Sequence, residues 1–102
     1  MKEIKIPKSI QMGGFDYTIE TGKKVSSELN SRGAWGVTAQ DLLTIRLDYN
    51  ASPQQLSNTF LHESIHAIDH IYLQDVLKDD QVAVIANGLH QLLEQLGIRF
   101  VR

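Results

Sequence analysis

The sequence predicts an α+β fold in which a small antiparallel or mixed β-sheet packs on two long helices. Segments with β-type alternation are confined to the first half of the chain, whereas long helical patterns fill the second half. Strands followed by helices, without regular alternation of the two, are typical of the α+β class. The 102 residues suffice for one core, so we expect a single domain over residues 1–102.

The N-terminal part of the chain is expected to form a β-hairpin. Residues 3–11 and 15–20 have the composition of short strands, and Gly13-Gly14 between them is a turn signal. The following segment, GKKVSSELNSRG (residues 22–33), has glycine at both ends and is consistent with a short helix.

A half-buried strand is predicted over residues 42–49, LLTIRLDY. The segment alternates, since one face carries Leu43, Ile45, Leu47 and Tyr49, and the other carries more polar side chains. As an edge strand directly before the motif described below, it is a candidate to align an extended peptide.

The first long helix is expected to begin near Ser52 and to run to about residue 73. Ser52 can act as the N-cap, Pro53 suits the first helical position, and Gln55 can complete a capping box. Two apolar stripes border a polar seam, so the helix should be mostly enclosed by protein. The stripes consist of Leu61, Ile65, Ile68 and Tyr72, and of Leu56, Phe60, Ala67 and Ile71.

A last helix is predicted from about residue 80 to residue 96, before Gly97. Its apolar positions recur with helical spacing and are expected to face the core: Val82, Ile85, Leu89, Leu92, Leu93 and Leu96.

Composition and charge narrow the class of function. The chain is 42% hydrophobic and 22% charged, with a net charge of −2, so it reads as globular and offers no electrostatic case for nucleic acid. Residues 51–102 hold six acidic and three basic side chains and all four histidines, which suits a divalent cation. There is no cysteine, no signal peptide and no apolar run long enough for a membrane span. We therefore expect a cytoplasmic protein without a nucleic-acid or membrane partner.

The segment FLHESIHAIDH (residues 60–70) carries the candidate chemistry. His62 and His66 are four residues apart on a helix, so both imidazoles point the same way and can bind one zinc ion. Glu63 is rotated by about 100° from His62 and can take a proton from a water molecule without becoming a ligand. Two ligand histidines with a neighbouring glutamate as the base are the chemical basis of the H-E-x-x-H pattern. The alternative is a polar stripe on an ordinary helix, or histidines hydrogen-bonded within the core.

The same segment resembles the active-site helix of zincin metallopeptidases. More narrowly, the chain from about residue 33 onward is similar to a small family of zincin-like phage and prophage proteins. These combine an N-terminal hairpin, a G…I.L strand, an HExxHAID helix and a final helix reading roughly EExVxxLAxGLxQLL, which here reads DDQVAVIANGLHQLL (residues 79–93). The resemblance implies a minimal zincin-like fold and a phage-type metallopeptidase, located in the host cytoplasm if it is phage-encoded.

A catalytic zinc site needs a third protein ligand. His70 continues the four-residue series, but along a straight helix it lies about 12 Å from His62, too far to share one ion. The resemblance places the third ligand on the last helix, where the family's acidic pair is usually glutamate and this chain has Asp79-Asp80. Asp80 is the first choice and Asp79 the second, although either could simply cap the helix.

Three further residues are candidates for places around the site. Asp69 lies nearly in line with His62 and can accept the free ring N–H of a ligand histidine, or can cap or be solvated. Asn87 and His90 lie further along the last helix on roughly the same side and could line the cleft.

Two functions follow from these observations. The first is a zinc-dependent peptidase, with a single bound Zn²⁺ and with Glu63 as the base, acting on a peptide or protein substrate of narrow specificity. The second is a non-catalytic protein on the same scaffold that binds a specific host or phage protein. A peptidase requires Glu63, whereas a binding protein does not.

Overall fold

The computed structural model describes all 102 residues and contains three helices and two small sheets. The α+β class is therefore confirmed. The elements in chain order are β1 (Lys2–Lys5), β2 (Ser9–Met12), β3 (Phe15–Glu20), α1 (Lys23–Ser31), β4 (Gly36–Ala39), β5 (Thr44–Leu47), α2 (Pro53–Tyr72), α3 (Asp79–Gln95) and β6 (Ile98–Val101). No helix of the structure combines the length and the apolar character that crossing a bilayer requires.

The predicted hairpin is present as β2 and β3, which pair antiparallel around Gly13-Gly14. The expected single strand over residues 3–11 is instead divided into β1 and β2. Pro7 lies at the division, and because proline lacks an N–H and restricts the residue before it, the chain turns there. β1 then joins a second sheet, in which it pairs parallel with β6.

The four-stranded sheet has the order β2-β3-β5-β4 and is mixed. β5 pairs parallel with β3 and antiparallel with β4. Its alternation was predicted correctly, since Ile45 and Leu47 are completely buried and Thr44 and Arg46 only partly. The expectation that this strand lies at an edge is wrong, because β4, a strand that the sequence patterns did not reveal, covers its outer side.

The helix α2 crosses the sheet and is largely enclosed. It contacts α3, β6 and both strands β4 and β5. The Ser52 side chain accepts a hydrogen bond from the Gln55 N–H (3.2 Å) and Pro53 is the first helical residue, as predicted. The Gln55 amide does not return the bond to Ser52 but donates to Thr59 Oγ1 (3.0 Å), so only half of the capping box forms.

The helix α3 packs on α2 through a narrower face than the sequence suggests. Val82 and Ala86 are completely buried and form a small cluster with Ile65 of α2. Four residues predicted for the core face are exposed instead: Ile85, Leu89, Leu92 and Leu96. The prediction was wrong because helical spacing shows that these side chains share a face but not what covers that face.

Candidate metal and catalytic site

The two histidines of the motif lie side by side on α2. The ring centroids of His62 and His66 are 5.0 Å apart and the ring planes meet at 60°. Two imidazoles that bind one tetrahedral zinc ion through nitrogens about 2 Å from it have centroids about 5 Å apart. The separation of the two rings is therefore the one that a shared ion requires.

Glu63 lies on the adjacent face of α2, against β4. Its side chain is 6% exposed, and Oε1 accepts a hydrogen bond of 2.7 Å from the Thr38 hydroxyl. Burial raises the pKa of the Glu63 carboxyl, an effect that the Thr38 hydrogen bond and the two histidines oppose and the nearby Asp79 carboxylate reinforces. A carboxylate with a raised pKa, and with Oε2 outside this hydrogen bond, is suited to accept a proton.

The strand β4 brings the sheet unusually close to α2 at Gly36. A Cβ atom on Gly36 would lie 2.7 Å from Thr59 Cγ2 and 3.1 Å from Glu63 Cγ, distances that packed side chains do not tolerate. Thr38, two residues further on the same face of the strand, uses this proximity to reach Glu63. Its hydroxyl also lies 3.1 Å from the backbone carbonyl of Glu63.

Gln40 makes a further connection between the sheet and the motif. Its Nε2 donates to the His66 carbonyl (3.1 Å), and its Oε1 accepts from the Tyr17 hydroxyl (2.6 Å). The sequence reasoning missed Gly36, Thr38 and Gln40. The available signal was the even spacing of Gly36, Thr38 and Gln40 after Trp35, which is compatible with one face of a short strand.

The outer edge of β4 is free to pair with another chain. The Asp48 N–H donates to the Trp35 carbonyl (3.0 Å), and ladder bonds alternate along an antiparallel pair. The N–H and C=O groups of Gly36 and Thr38 consequently point away from β5. The sequence predicted that the strand over residues 42–48 would pair with an extended peptide, but the free strand edge beside Glu63 is that of β4.

The cleft beside this edge consists of two adjoining depressions that share His62, Glu63 and Gly36. One, of about 250 Å³, is lined by the 33–36 loop and by Gln55, Asn58 and Thr59 of α2. The other, of about 490 Å³, adds Thr38, Gln40, His66 and Asp79. The pair of depressions runs along β4 past the glutamate.

Of the two candidate aspartates, Asp79 lies with the histidines. Its Oδ1 is 3.9 Å from His66 Nε2, and its side chain is 99% exposed and hence free to change rotamer. Asp80 points elsewhere: its Oδ1 accepts a hydrogen bond of 3.0 Å from the Gln81 N–H, and the residue lines a separate apolar depression with Leu77. The sequence-based preference for Asp80 is thus not supported by position, and Asp79 becomes the candidate ligand.

The residues fit a zinc ion in kind and, for the histidines, in spacing. Two imidazoles and one carboxylate form a donor set that zinc commonly takes. No three His, Asp or Glu side chains converge closely enough in the structure to form a ready-made site. Asp79 would have to turn toward the histidines, and its full exposure leaves that movement unhindered.

The remaining candidates take positions outside the cleft lining. His70 Nδ1 contacts the Asp75 carboxylate at 3.0 Å. The Asn87 amide oxygen accepts from Asn58 (2.9 Å) and so ties α3 to α2, while His90 lies one helical turn before Glu94 and 3.9 Å from it. Neither Asn87 nor His90 is among the residues that line the two depressions.

Asp69 fixes the loop between α2 and α3, which leads directly into Asp79. Its buried carboxylate accepts a hydrogen bond from the Leu77 N–H (3.2 Å), and its carbonyl accepts from the Leu73 and Asp75 N–H groups. The carboxylate has no hydrogen bond to a ring nitrogen of His62 or His66. Its role is therefore to fix the connection between α2 and α3.

Replacing Asp69 by alanine should destabilise the fold and loosen this loop. The Leu77 N–H would lose its partner, and an unsatisfied buried donor costs about 1–3 kcal/mol. Urea unfolding of Asp69→Ala and Asp69→Asn measures the effect. Asparagine keeps an acceptor oxygen, so it should recover most of the loss, and equal destabilisation by the two substitutions would contradict this role.

Comparison of the chain with models of known protein families, with curated proteins and with solved structures finds no match. The resemblance to zincin-like phage proteins therefore stays a prediction. The assignment of a function depends on the site itself.

Proposed function

We propose that this protein is a zinc-dependent peptidase, in which His62, His66 and Asp79 hold the ion and Glu63 is the general base. The observation that carries the proposal is the position of Glu63. It is buried beside the paired histidines and directly below a free strand edge. A polar stripe on an ordinary helix would require neither the histidine spacing nor a hydroxyl aimed at the glutamate.

The chain's own residues supply binding and proton transfer. The outward N–H and C=O groups of Gly36 and Thr38 pair with an extended peptide and place its scissile carbonyl over α2. Thr38 occupies Oε1 of Glu63 and so directs Oε2 toward the attacking water. Bound zinc supplies the Lewis acidity that polarises the carbonyl and lowers the pKa of the water.

Proton transfer follows from the raised pKa of Glu63. The carboxylate takes one proton from the water as the oxygen–carbon bond forms, and then gives it to the amide nitrogen as the carbon–nitrogen bond breaks. The cleft is lined mostly by polar side chains and glycines and has few apolar side chains that could form a specificity pocket, which favours a narrow protein substrate recognised over a wider surface. A cytoplasmic location in a host cell is part of this proposal.

One observation favours the second candidate, a non-catalytic protein that binds a host or phage protein. The Asp79 carboxylate lies close enough to His66 to interact with it directly, and no third ligand is in place beforehand. The same residues could thus stabilise the junction of α2 and α3 without an ion. A protein that binds no zinc cannot be the proposed peptidase, and in a protein that does bind zinc the requirement for Glu63 distinguishes the peptidase from a binding protein.

Zinc content of the purified protein, with affinity from competition against a chromophoric chelator, tests the site. The parent should bind a single ion, and His62→Ala or His66→Ala should weaken binding by more than about 100-fold, beyond the range typical of residues that only support a ligand. Asp79→Ala should also weaken it by more than about 100-fold if Asp79 is a ligand, whereas the adjacent Asp80→Ala should not change it.

A parent protein that takes up no zinc after reconstitution would remove the peptidase proposal and leave the binding protein. Loss of zinc with Asp80→Ala, and retention with Asp79→Ala, would overturn the choice of the third ligand. Circular dichroism of every variant establishes that it is folded.

A further inference from the structure

The depression at the Gly36 end of β4 has room for a substrate side chain. Its volume is about 250 Å³, and it adjoins His62 and Glu63. Every other residue that lines it is uncharged, and only Ala34 and Trp35 among them are apolar. We call this depression the Gln55 subsite.

The orientation of β4 directs a side chain of a bound peptide into the Gln55 subsite. A Cβ atom on Gly36 would point at Thr59 and Glu63, so this face of the strand is turned toward α2. Residues that lie opposite each other on paired strands carry their side chains on the same face of the sheet. A peptide residue paired with Gly36 therefore points its side chain toward α2, and the missing side chain of Gly36 leaves space for it.

Gln55 presents a fixed hydrogen-bond acceptor to the subsite. Its Nε2 donates to Thr59 Oγ1 (3.0 Å), which holds the amide in place, whereas its Oε1 has no partner in the chain and is not buried. Asn58 cannot serve in the same way, because its Nδ2 donates to Asn87 and its Oδ1 is buried. A side chain that enters the subsite must therefore offer a donor to Gln55.

The lining of the subsite disfavours charged and apolar side chains. Its one carboxylate, Glu63, is buried and hydrogen-bonded to Thr38, so a lysine or arginine would lose water without gaining a free counter-charge. An acidic side chain would face both Glu63 and the Gln55 oxygen. An apolar side chain would cover Gln55 Oε1 without replacing its hydrogen bond to water, which is unfavourable.

We propose that the Gln55 subsite selects a glutamine or asparagine of the substrate, whose side-chain N–H donates to Gln55 Oε1. A primary amide is uncharged and has two N–H donors, so it meets both requirements of the subsite. Sites built to hydrogen-bond a substrate group discriminate against isosteres that lack it. The inference rests on the proposed peptidase function, since it names the substrate residue that the same cleft accepts.

Peptide binding to the Glu63→Gln variant, which should not hydrolyse its ligand, tests the subsite. Short blocked alanine peptides with a fluorescent label differ in one central residue, which is glutamine, glutamate, methionine or lysine. Glutamine, glutamate and methionine have similar shapes, so their comparison isolates the hydrogen-bond donor. Fluorescence anisotropy, with and without added zinc, gives the affinities. The glutamine peptide should bind about threefold to tenfold more tightly than each of the others.

Substitutions of Gln55 in the same background identify the acceptor. Gln55→Met removes Oε1 but keeps the length of the side chain, and it should reduce the glutamine preference to less than about twofold. Gln54→Met is the matched control, because Gln54 is exposed and lines neither depression, and the preference should stay as in the parent. Gln55→Glu should transfer the preference to the lysine peptide, which provides a second reading if Gln55→Met fails to fold.

The Gln55 subsite would be overturned by equal affinities for the glutamine and methionine peptides, or by a preference that survives Gln55→Met. Absence of binding by every peptide at millimolar concentration would overturn it as well. Any of these results, in a protein that takes up zinc, leaves the peptidase proposal in place. A glutamine preference in a protein that takes up no zinc would instead support the subsite and remove the peptidase, so the two proposals fail separately.

Discussion

Replacing Glu63 by glutamine should abolish peptide hydrolysis while leaving zinc binding intact. The glutamine amide cannot accept a proton from water, and general acid–base catalysis contributes about 10²- to 10⁴-fold to enzymatic rates. Its carbonyl oxygen can still accept the hydrogen bond from Thr38, which in the parent is 2.7 Å long. The site should therefore keep its shape and lose its base, so that kcat falls by about 10²- to 10⁴-fold with little change in KM.

The measurement is cleavage of a quenched fluorescent peptide library by the zinc-loaded protein, followed by kcat and KM on the best substrate. Glu3→Gln is a matched control, because Glu3 is exposed on β1 and lines neither depression of the cleft. It should cleave at the parental rate. A Glu63→Gln variant that retains more than about a tenth of the parental kcat would show that another group acts as the base.

The same variant should make the metal-free protein more stable at neutral pH. Burial raises the pKa of Glu63, so the folded state binds that proton more tightly than the unfolded state. The ionised carboxylate therefore costs stability above the folded pKa, and this cost disappears below the ordinary glutamate pKa of about 4.3. Glutamine should raise the free energy of unfolding by about 1 kcal/mol at pH 8 and by little at pH 4.

A substitution that removes activity but raises stability distinguishes a functional residue from a structural one. If Glu63 were kept only for packing or helix propensity, its replacement would lower the free energy of unfolding of the protein at every pH. A gain in stability at high pH alone, measured by urea unfolding of the metal-free protein, identifies a buried charge that the fold tolerates at a cost. Residues of that kind are common at functional sites.

The relative placement of His62, Glu63 and His66 was predictable because all three lie on one element. His62, Glu63 and His66 are fixed relative to one another by the geometry of a single capped helix, and the signals at Ser52 and Pro53 placed that helix correctly. Nothing outside α2 is needed to know that the two imidazoles share a face. Their spacing in the structure agrees with that derivation.

The choice between Asp79 and Asp80 was not predictable, since it depends on how α3 is rotated against α2. Neighbouring side chains on a helix point about 100° apart, so only one of the two aspartates can face His66. That rotation is set by the packing of α3 on α2 and by the connection before it, and not by the residues of α3 alone. The connection before α3 also holds Gln74 and Asp75 in left-handed conformations that no local sequence signal announces.

The strand β4 and the exposed apolar side chains of α3 were not predicted correctly, for a related reason. β4 spans only the four residues between Trp35 and a turn, too few for a periodic pattern to stand out. On α3, the spacing revealed an apolar face, but whether the rest of the chain covers that face depends on tertiary packing. Neighbouring residues thus determine whether a segment forms a helix or a strand, whereas the elements that it packs against depend on the whole fold.

Replacing Gly36 by valine should be the most destabilising single change around the site. Five of the seven glycines have positive φ, so Gly36 and Gly88 are the two that are not kept for backbone conformation. At Gly36 the reason is space, because an added Cβ would lie 2.7 Å from Thr59 Cγ2 and 3.1 Å from the Arg46 carbonyl oxygen. Valine would push β4 away from α2 and should lower the free energy of unfolding by roughly 3 kcal/mol, the upper part of the range for overpacking.

Urea unfolding measures this loss, and Gly88→Ala is the control. Gly88 has no heavy atom within 4 Å of its would-be Cβ, so alanine there should stabilise α3 by about 0.5–1 kcal/mol. Valine is a strong strand former, and without the predicted clash it would stabilise β4. A loss of stability in Gly36→Val would therefore show that the predicted clash occurs. A variant as stable as the parent would mean that β4 and α2 do not approach as closely as the contact of Thr38 with Glu63 requires.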